Sequence, residues 1–205
     1  MAFVLLAVLA GCFALPNWVS RVRPLPRVEE VTKVGVTSSL LFAAAVADAV
    51  PAGARPWFVA ALVACLIGDI ALLDRVDKFV PGLVAFLIGH VLFAIGGFVI
   101  GITTGRLIAS VLIVGVVIGV LAPRIVRASG KLAPAVGAYL VVISTMAVVM
   151  TLTNRWWLTA GAAMFVASDS VLAWNLFVRK LRWGPLAVMV SYHAALAGLI
   201  VGLGH

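Results

Sequence analysis

Charged residues are scarce in this sequence of 205 residues. Only 11% of the residues are charged, whereas 64% are apolar, and the mean hydropathy is +1.23. Ordinary soluble domains devote about a quarter of their residues to charge. A water-soluble fold is therefore excluded, because so few polar groups could not cover its surface. The composition instead predicts a single domain, residues 1–205, whose partner is the lipid bilayer.

Cysteine is also scarce, and the sequence contains two cysteines, Cys12 and Cys65. Both lie within apolar runs, so no disulfide framework is expected and both are expected to be small core residues. The sequence also lacks a P-loop, a Gly-x-Ser-x-Gly elbow, a CxxC pair, an HExxH pair and a dinucleotide fingerprint. We therefore expect no bound metal and no cofactor.

Long apolar runs make up most of the chain. A bilayer core requires about 20 mostly apolar residues for one helical crossing. The runs lack the alternation of barrel strands, so they predict an all-α fold, a polytopic bundle of about eight transmembrane helices. The predicted spans are residues 2–18, 34–50, 57–74, 80–101, 107–123, 133–150, 157–175 and 185–203.

The net charge of +8 follows the membrane topology. Basic residues stand between the spans, and twelve of the fifteen fall in the odd-numbered loops. The exceptions are Arg55, Arg106 and Arg155. Because cytoplasmic loops are enriched in Lys and Arg, the odd loops are predicted to be cytoplasmic and both termini extracytoplasmic, in the plasma (inner) membrane. This distribution predicts no nucleic-acid partner.

A short pattern recurs in the two halves of the chain. Asp69 in the third span and Asp169 in the seventh stand 100 residues apart, and each is followed by a basic loop and a span with a histidine, His90 or His193. The pattern suggests parallel repeats, about residues 1–101 and 107–205.

Several polar side chains are expected to share one layer in the cytoplasmic half of the bilayer. An ionisable group at such depth costs about 2.5 to 3.5 kcal/mol on insertion scales and usually faces a bundle interior or a wet cavity. Two acids in one pocket differ in proton affinity, so one can donate a proton while the other stays ionised. The candidate catalytic residues are Asp69, Asp169 and His90, and the candidate substrate-binding residues are Lys33, Tyr139, Tyr192 and His193.

Each of these residues also has a structural interpretation, which the sequence leaves open. The two acids and the two tyrosines would then only bond neighbouring helices. A histidine on an apolar helix is as often a satisfied core residue as a catalyst, and Lys33 would anchor a helix end by extending to the headgroup level.

Around these residues the sequence resembles the YhhN-like family of eight-span membrane proteins, which includes the lysoplasmalogenases. The resemblance covers most of the chain. Its motifs are Gly68-Asp69-x-x-Leu72-Leu73 with Gly82-Leu83-x-x-Phe86-x-x-Gly89-His90, and Gly161-Ala162-x-x-Phe165-x-x-Ser168-Asp169-x-x-Leu172-Ala173 with Tyr192.

The resemblance implies a lysophospholipid substrate, lysoplasmalogen, whose vinyl ether bond is hydrolysed to a fatty aldehyde and a glycerophospho-base. Protonation of the outer alkene carbon gives an oxocarbenium-like cation, which water captures. This route needs an acid and an ionised carboxylate, as in glycosidases. Asp69 and Asp169 would fill these roles in an order that the sequence does not fix, His90 or Tyr192 would position water, and Lys33 would contact the lipid phosphate.

Two other functions fit the same sequence features. Repeated halves with acids at membrane depth also describe proton-coupled transporters of small molecules or lipids. A metal-dependent hydrolase acting on another lipid bond is the third hypothesis, since two Asp and two His can ligate a metal.

Overall fold

All regular secondary structure in the described part of the chain is helical. The computed structural model describes residues 2–23 and 25–204, so Pro24 of the Arg23-Pro24-Leu25 segment before Lys33 lies outside the described residues. Within these ranges there are nine α-helices. They are α1 Ala2–Val22, α2 Pro26–Val46, α3 Arg55–Ala71, α4 Phe79–Ile100, α5 Leu107–Val116, α6 Ala122–Ala128, α7 Ala133–Leu152, α8 Trp156–Ala173 and α9 Gly184–Leu203. The predicted all-α bundle is confirmed.

Six helical segments are long and apolar enough to cross a membrane. They are Ala2–Val22, Ala52–Ala71, Phe79–Ile100, Gly130–Leu152, Trp156–Val178 and Gly184–Leu203. The chain is therefore a multi-pass membrane protein. The other two predicted spans correspond to α2 and to the segment from α5 to α6, and their crossing of the bilayer stays a prediction.

Helix α2 begins eight residues before the predicted span. Pro26 occupies its first turn, where a missing N–H costs no helical hydrogen bond. Three charged residues that lie before the predicted span belong to this helix and form ion pairs: Glu29 with Arg21, Glu30 with the exposed Arg75, and Lys33 with Asp69. Lys33, predicted at the mouth of this helix, thus lies two turns inside it and is buried.

The predicted span at residues 107–123 is interrupted. A π-helical turn, Val117–Leu121, separates α5 from α6. The cause lies in Pro123, which lacks a backbone N–H and whose ring clashes with the carbonyl four residues earlier, so the helix cannot continue with α-helical hydrogen bonds.

Sequence-adjacent helices pack as antiparallel pairs, α1 with α2, α3 with α4, and α8 with α9, while α4 packs on α7 and α2 on both α3 and α9. Helices α8 and α9 pack closely at Gly161. A Cβ atom there would lie 2.8 Å from the backbone nitrogen of Leu199 and 2.9 Å from the carbonyl oxygen of Ala195. Glycine is therefore required at this crossing, and the crossing fixes α8, which carries Asp169, against α9, which carries Tyr192. The division into repeat halves stays a prediction.

Candidate active site

A cavity of about 460 Å³ lies among the helices, and both intramembrane acids line it. Asp69 enters from α3 and Asp169 from α8. The exposed residues Asp74, Asp77 and Lys78 line the same cavity, so it reaches the surface at the loop between α3 and α4. Most of the remaining lining is apolar, which suits an acyl or alkenyl chain.

Asp69 is held by three side chains, two from α2 and one from α9. The Oδ2 atom accepts hydrogen bonds from the Thr37 hydroxyl at 2.6 Å and from the Tyr192 hydroxyl at 2.8 Å. The Lys33 ammonium lies 3.5 Å from Oδ1. The side chain of Asp69 is 1% exposed. A buried carboxyl group with a lysine and two hydroxyl donors around it is stabilised in its ionised form by these contacts.

Asp169 has a different set of neighbours. The Tyr139 hydroxyl donates to Oδ2 at 2.5 Å, and Nε2 of His90 lies 3.2 Å from the same oxygen and 2.9 Å from the tyrosine oxygen. The only hydroxyl proton of Tyr139 points to the acid, so we assign the Nε2–H tautomer to His90. Nδ1 of His90 is buried and has no hydrogen-bond partner among the described residues, which agrees with a neutral ring.

Aromatic rings join the two acid clusters. The Phe165 ring lies 4.6 Å from the His90 ring and 5.5 Å from the Tyr192 ring, measured between centroids and with edge-to-face geometry in both pairs. Phe86 makes the same kind of contact with Tyr192 at 5.9 Å. The rings fix the orientation of the side chains that hold the acids.

Most of the predicted site residues are brought together. Lys33, Asp69, Tyr139, Asp169 and Tyr192 line the cavity, and His90 lies directly behind Asp169. The two tyrosines, expected to bind substrate, donate their hydroxyl protons to the acids instead of ending in open space.

His193 is placed elsewhere. Its Nδ1 accepts a hydrogen bond from the Trp18 indole at 3.0 Å, so the ring connects α9 to α1, and it does not line the cavity. The neighbouring Tyr192 faces Asp69, and successive residues on a helix point in directions that differ by about 100°. Adjacency in sequence therefore does not bring both side chains into one site.

Two residues of the site are not among the candidates that the sequence predicts: Thr37, which contacts Asp69, and Arg21, which lines the cavity. Thr37 donates to Asp69, and Arg21 at the end of α1 lines the cavity beside Glu29. Thr37 had a detectable signal, since it follows Lys33 by four residues and so shares its helical face. Arg21 has no such signal, because in the sequence it is one of several basic residues that follow the first span.

Among residues 2–23 and 25–204, no three His, Cys, Asp or Glu side chains gather closely enough to form a metal-binding group. Nε2 of His90 lies 3.2 Å from Oδ2 of Asp169, so these two residues form a pair. Both acids are instead engaged with hydroxyl groups and with a lysine or a histidine, which are partners suited to proton transfer.

Each acid receives partners from both halves of the chain. Asp69 in the first half is bonded by Thr37 of α2 and by Tyr192 of α9. Asp169 in the second half is bonded by Tyr139 of α7 and contacts His90 of α4. Each acid is thus contacted by side chains that are distant from one another in the sequence.

Comparisons with known proteins identify one family and a set of relatives that share a name. The profile of the YhhN family matches residues 31–203. The rat (Rattus norvegicus) lysoplasmalogenase TMEM86B is 28% identical over 188 residues, which cover 88% of this chain and 71% of that protein. For the mouse (Mus musculus) protein of the same name the identity is 32% over 158 residues, covering 74% of this chain and 65% of that protein.

The human (Homo sapiens) protein of that name is 28% identical over 135 residues, covering 66% of this chain and 58% of its own length. The matched region therefore spans between 58% and 71% of these relatives. No solved structure matches the chain.

Proposed function

The chain belongs to the YhhN family, and from this premise we propose that it hydrolyses the vinyl ether bond of lysoplasmalogen to a fatty aldehyde and a glycerophospho-base. The observation that carries the proposal is the pair of carboxyl groups, the buried Asp69 and the partly buried Asp169, on one largely apolar cavity. The names of the rat and mouse relatives support the same substrate.

The surroundings of the two acids favour different roles. Asp69 has the Lys33 ammonium near one oxygen and two hydroxyl donors on the other, so we assign it the ionised role. Asp169 has no lysine or arginine partner among the described residues, and its side chain is 15% exposed. We assign Asp169 the proton donor role, with the proton on Oδ1 while Oδ2 accepts from Tyr139 and His90.

The reaction begins with carbon protonation. Asp169 transfers its proton to the outer alkene carbon, and the electron pair of the double bond forms the new C–H bond. The cation that results is shared between the inner carbon and the ether oxygen. The ionised Asp69 stabilises this cation in a site from which most water is excluded.

Water then completes the reaction. A water molecule attacks the inner carbon and gives its proton to Asp69, which forms a hemiacetal. Asp169, now ionised, takes the hemiacetal hydroxyl proton as the carbonyl forms, while Asp69 returns its proton to the departing ether oxygen. One water is consumed, and each acid regains its starting protonation state.

Other residues support these steps by holding the acids. Tyr139 and His90 fix Asp169, and Thr37 and Tyr192 fix Asp69. Lys33 balances the charge of Asp69 and, through its remaining N–H groups, contacts the lipid phosphate. His193 supports the packing of α9 on α1 through Trp18.

The basic residues of the loops indicate how the protein is oriented in the membrane. We place the protein in the plasma (inner) membrane with both termini extracytoplasmic, because the loops that carry Arg75 and Arg179 are rich in basic residues. The mouth of the cavity, beside Lys78, then faces the cytoplasmic leaflet, where a lysolipid enters from the headgroup level.

The test is a direct assay of purified protein in lipid nanodiscs with lysoplasmalogen, in which released aldehyde is measured by derivatisation. Wild type is expected to release aldehyde, and Asp69→Asn and Asp169→Asn to reduce the rate by at least about 100-fold, the usual range for loss of an acid–base group. Asp48→Asn is the matched control, since Asp48 is exposed and does not line the cavity. Absence of aldehyde from wild type, or an undiminished rate in either cavity variant, would defeat the proposal.

A further inference from the structure

At the mouth of the cavity, the last turn of α1 contributes a cation that the reaction does not use. We infer that Arg21 binds the phosphate of the lysophospholipid and so sets the depth at which the substrate lies. This inference rests on the proposed function for the identity of the lipid, but the binding step is independent of catalysis.

Arg21 is only partly satisfied by the protein. Its Nη1 lies 2.6 Å from Oε1 of Glu29, and its side chain is 18% exposed. Its Nε is buried and has no hydrogen-bond partner among the described residues. Burying an N–H donor without an acceptor costs about 1 to 3 kcal/mol, so the arrangement favours a ligand that supplies an oxygen here.

The chemistry of the unused group points to phosphate. Nε–H and a neighbouring N–H of a guanidinium form a parallel pair of donors that fits two oxygens of one phosphate. Glu29 engages the Nη1 group and leaves the Nε edge for a second anion. Lys33, in the same cavity, has its nearest carboxylate oxygen at 3.5 Å, longer than the usual charge-assisted bond, and so retains donors for the same ligand.

The spacing along α2 matches the substrate. Glu29 pairs with Arg21, and Lys33 pairs with Asp69. The positions of Glu29 and Lys33 along the axis of α2 therefore give the approximate depths of Arg21 and Asp69 in the membrane. Residues four apart on a helix lie one above the other, about 6 Å apart. A glycerol backbone that separates a phosphate from its vinyl ether oxygen bridges such a distance. With its phosphate at Arg21, the lipid would present the ether bond at the level of Asp69.

Acidic residues at the rim restrict the headgroup. Asp74 and Asp77 are exposed and line the cavity with Lys78. These acids repel a headgroup with excess negative charge and attract one that carries a positive group beside its phosphate. A zwitterionic phosphate headgroup is therefore the ligand class that we assign to this end of the cavity.

The test measures binding without hydrolysis. Lysophosphatidylcholine, which has an acyl chain and no vinyl ether, and a monoacylglycerol with the same chain are titrated into nanodisc-embedded wild type and variants. Arg21→Gln is expected to weaken lysophosphatidylcholine binding at least tenfold and to leave monoacylglycerol binding unchanged. Because neither lipid is cleaved at an ether bond, this result stands or falls separately from the assay of the proposed function.

Two control variants separate binding from folding. Arg75→Gln removes an arginine that also pairs with a glutamate, Glu30, but is 70% exposed and does not line the cavity; it should change neither affinity. Glu29→Gln breaks the Arg21 ion pair while keeping the guanidinium, and it should retain lysophosphatidylcholine binding. An equal loss in Glu29→Gln and Arg21→Gln, or a loss of both lipids in Arg21→Gln, would mean that Arg21 only supports the bundle and would overturn the inference.

Competition identifies the source of the phosphate. Glycerophosphocholine is expected to displace lysophosphatidylcholine from wild type but not to affect what binding Arg21→Gln retains. Inorganic phosphate at the same concentration is expected to displace little. If inorganic phosphate competes as well as glycerophosphocholine, the site is one for free phosphate and the lipid assignment is wrong.

Discussion

A single hydroxyl group can stabilise the ionised form of a buried carboxyl group by donating a hydrogen bond to it. Thr37 contributes one hydrogen bond to Asp69 at 2.6 Å, and this bond goes to the form that we take as ionised. Hydrogen bonds to charged groups contribute about 1.5 to 3 kcal/mol. Removing the donor should therefore impair catalysis while the fold is kept.

We expect Thr37→Val, which keeps the shape and removes the hydroxyl, to lower kcat about tenfold or more. Thr37→Ser should retain most of the activity, because the donor is still present. Thr145→Val serves as the control, since the Thr145 hydroxyl is exposed and donates to the carbonyl of Val141 in its own helix. Aldehyde release under saturating substrate gives the comparison, and equal rates in Thr37→Val and wild type would contradict the assigned contact.

The residue types in the sequence predicted part of this site. Asp69, Asp169 and His90 stood out because ionisable groups are rare in apolar helices. Thr37 did not, because threonines in such helices commonly bond to their own backbone, as Thr32 and Thr151 do here.

At the scale of helices, the close crossing of α8 and α9 fixes the positions of Asp169 and of Tyr192, which donates a hydrogen bond to Asp69. Gly161 allows the backbone of α8 to contact that of α9, where a Cβ atom would come within 3.0 Å of backbone atoms. Backbone atoms cannot move aside as a flexible side chain can. The crossing is therefore sensitive to one added methyl group.

Gly161→Ala is expected to destabilise the protein by about 1 to 3 kcal/mol, the usual cost of overpacking, and to lower activity by displacing Tyr192 from Asp69. Gly137→Ala is the matched control, because none of the described residues places an atom within 4 Å of a Cβ atom at Gly137 of α7. Thermal unfolding in nanodiscs and aldehyde release measure the two effects. If both alanine variants behave alike, the close approach of α8 and α9 does not matter for stability.

Helix boundaries were predicted well where only local sequence decides them. The prediction of 80–101 for α4 agrees with Phe79–Ile100 to within one residue. Helix α2 was different, because its charged first turns are compensated by Arg21, Arg75 and Asp69, which are distant in sequence or lie in other helices. Pairing of this kind is a tertiary property, and hydropathy does not report it.

For the molecule as a whole, the orientation in the membrane is the main property that the sequence predicts and that awaits measurement. The loop before α7 contains Lys131, on the predicted cytoplasmic side, and the loop before α5 contains Arg106, on the opposite side. The positive-inside rule decides this assignment.

Single cysteines provide the test in a background with Cys12→Ala and Cys65→Ala. A membrane-impermeant maleimide added to intact cells should label Arg106→Cys but not Lys131→Cys, and both should be labelled after permeabilisation. The reverse pattern would invert the topology and place the cavity mouth on the extracytoplasmic side.

The shared cavity is the property that the sequence alone could not establish. The recurrence of Asp69 and Asp169 indicated two acids at similar depth, but their meeting depends on long-range packing of α4 on α7 and of α9 on α2. His193 was predicted at the site but lies outside it. Its neighbour Tyr192 donates to Asp69, whereas His193 accepts a hydrogen bond from Trp18.

The central claim is that the two carboxyl groups transfer protons to and from one bound vinyl ether, and turnover in deuterated water tests it most directly. Aldehyde released from lysoplasmalogen by wild type should carry a single deuterium on the carbon next to the carbonyl, with synthetic aldehyde as the control for exchange. Asp169→Asn should release almost none. Aldehyde that lacks this deuterium, or labelled aldehyde formed at the wild-type rate by Asp169→Asn, would contradict the account.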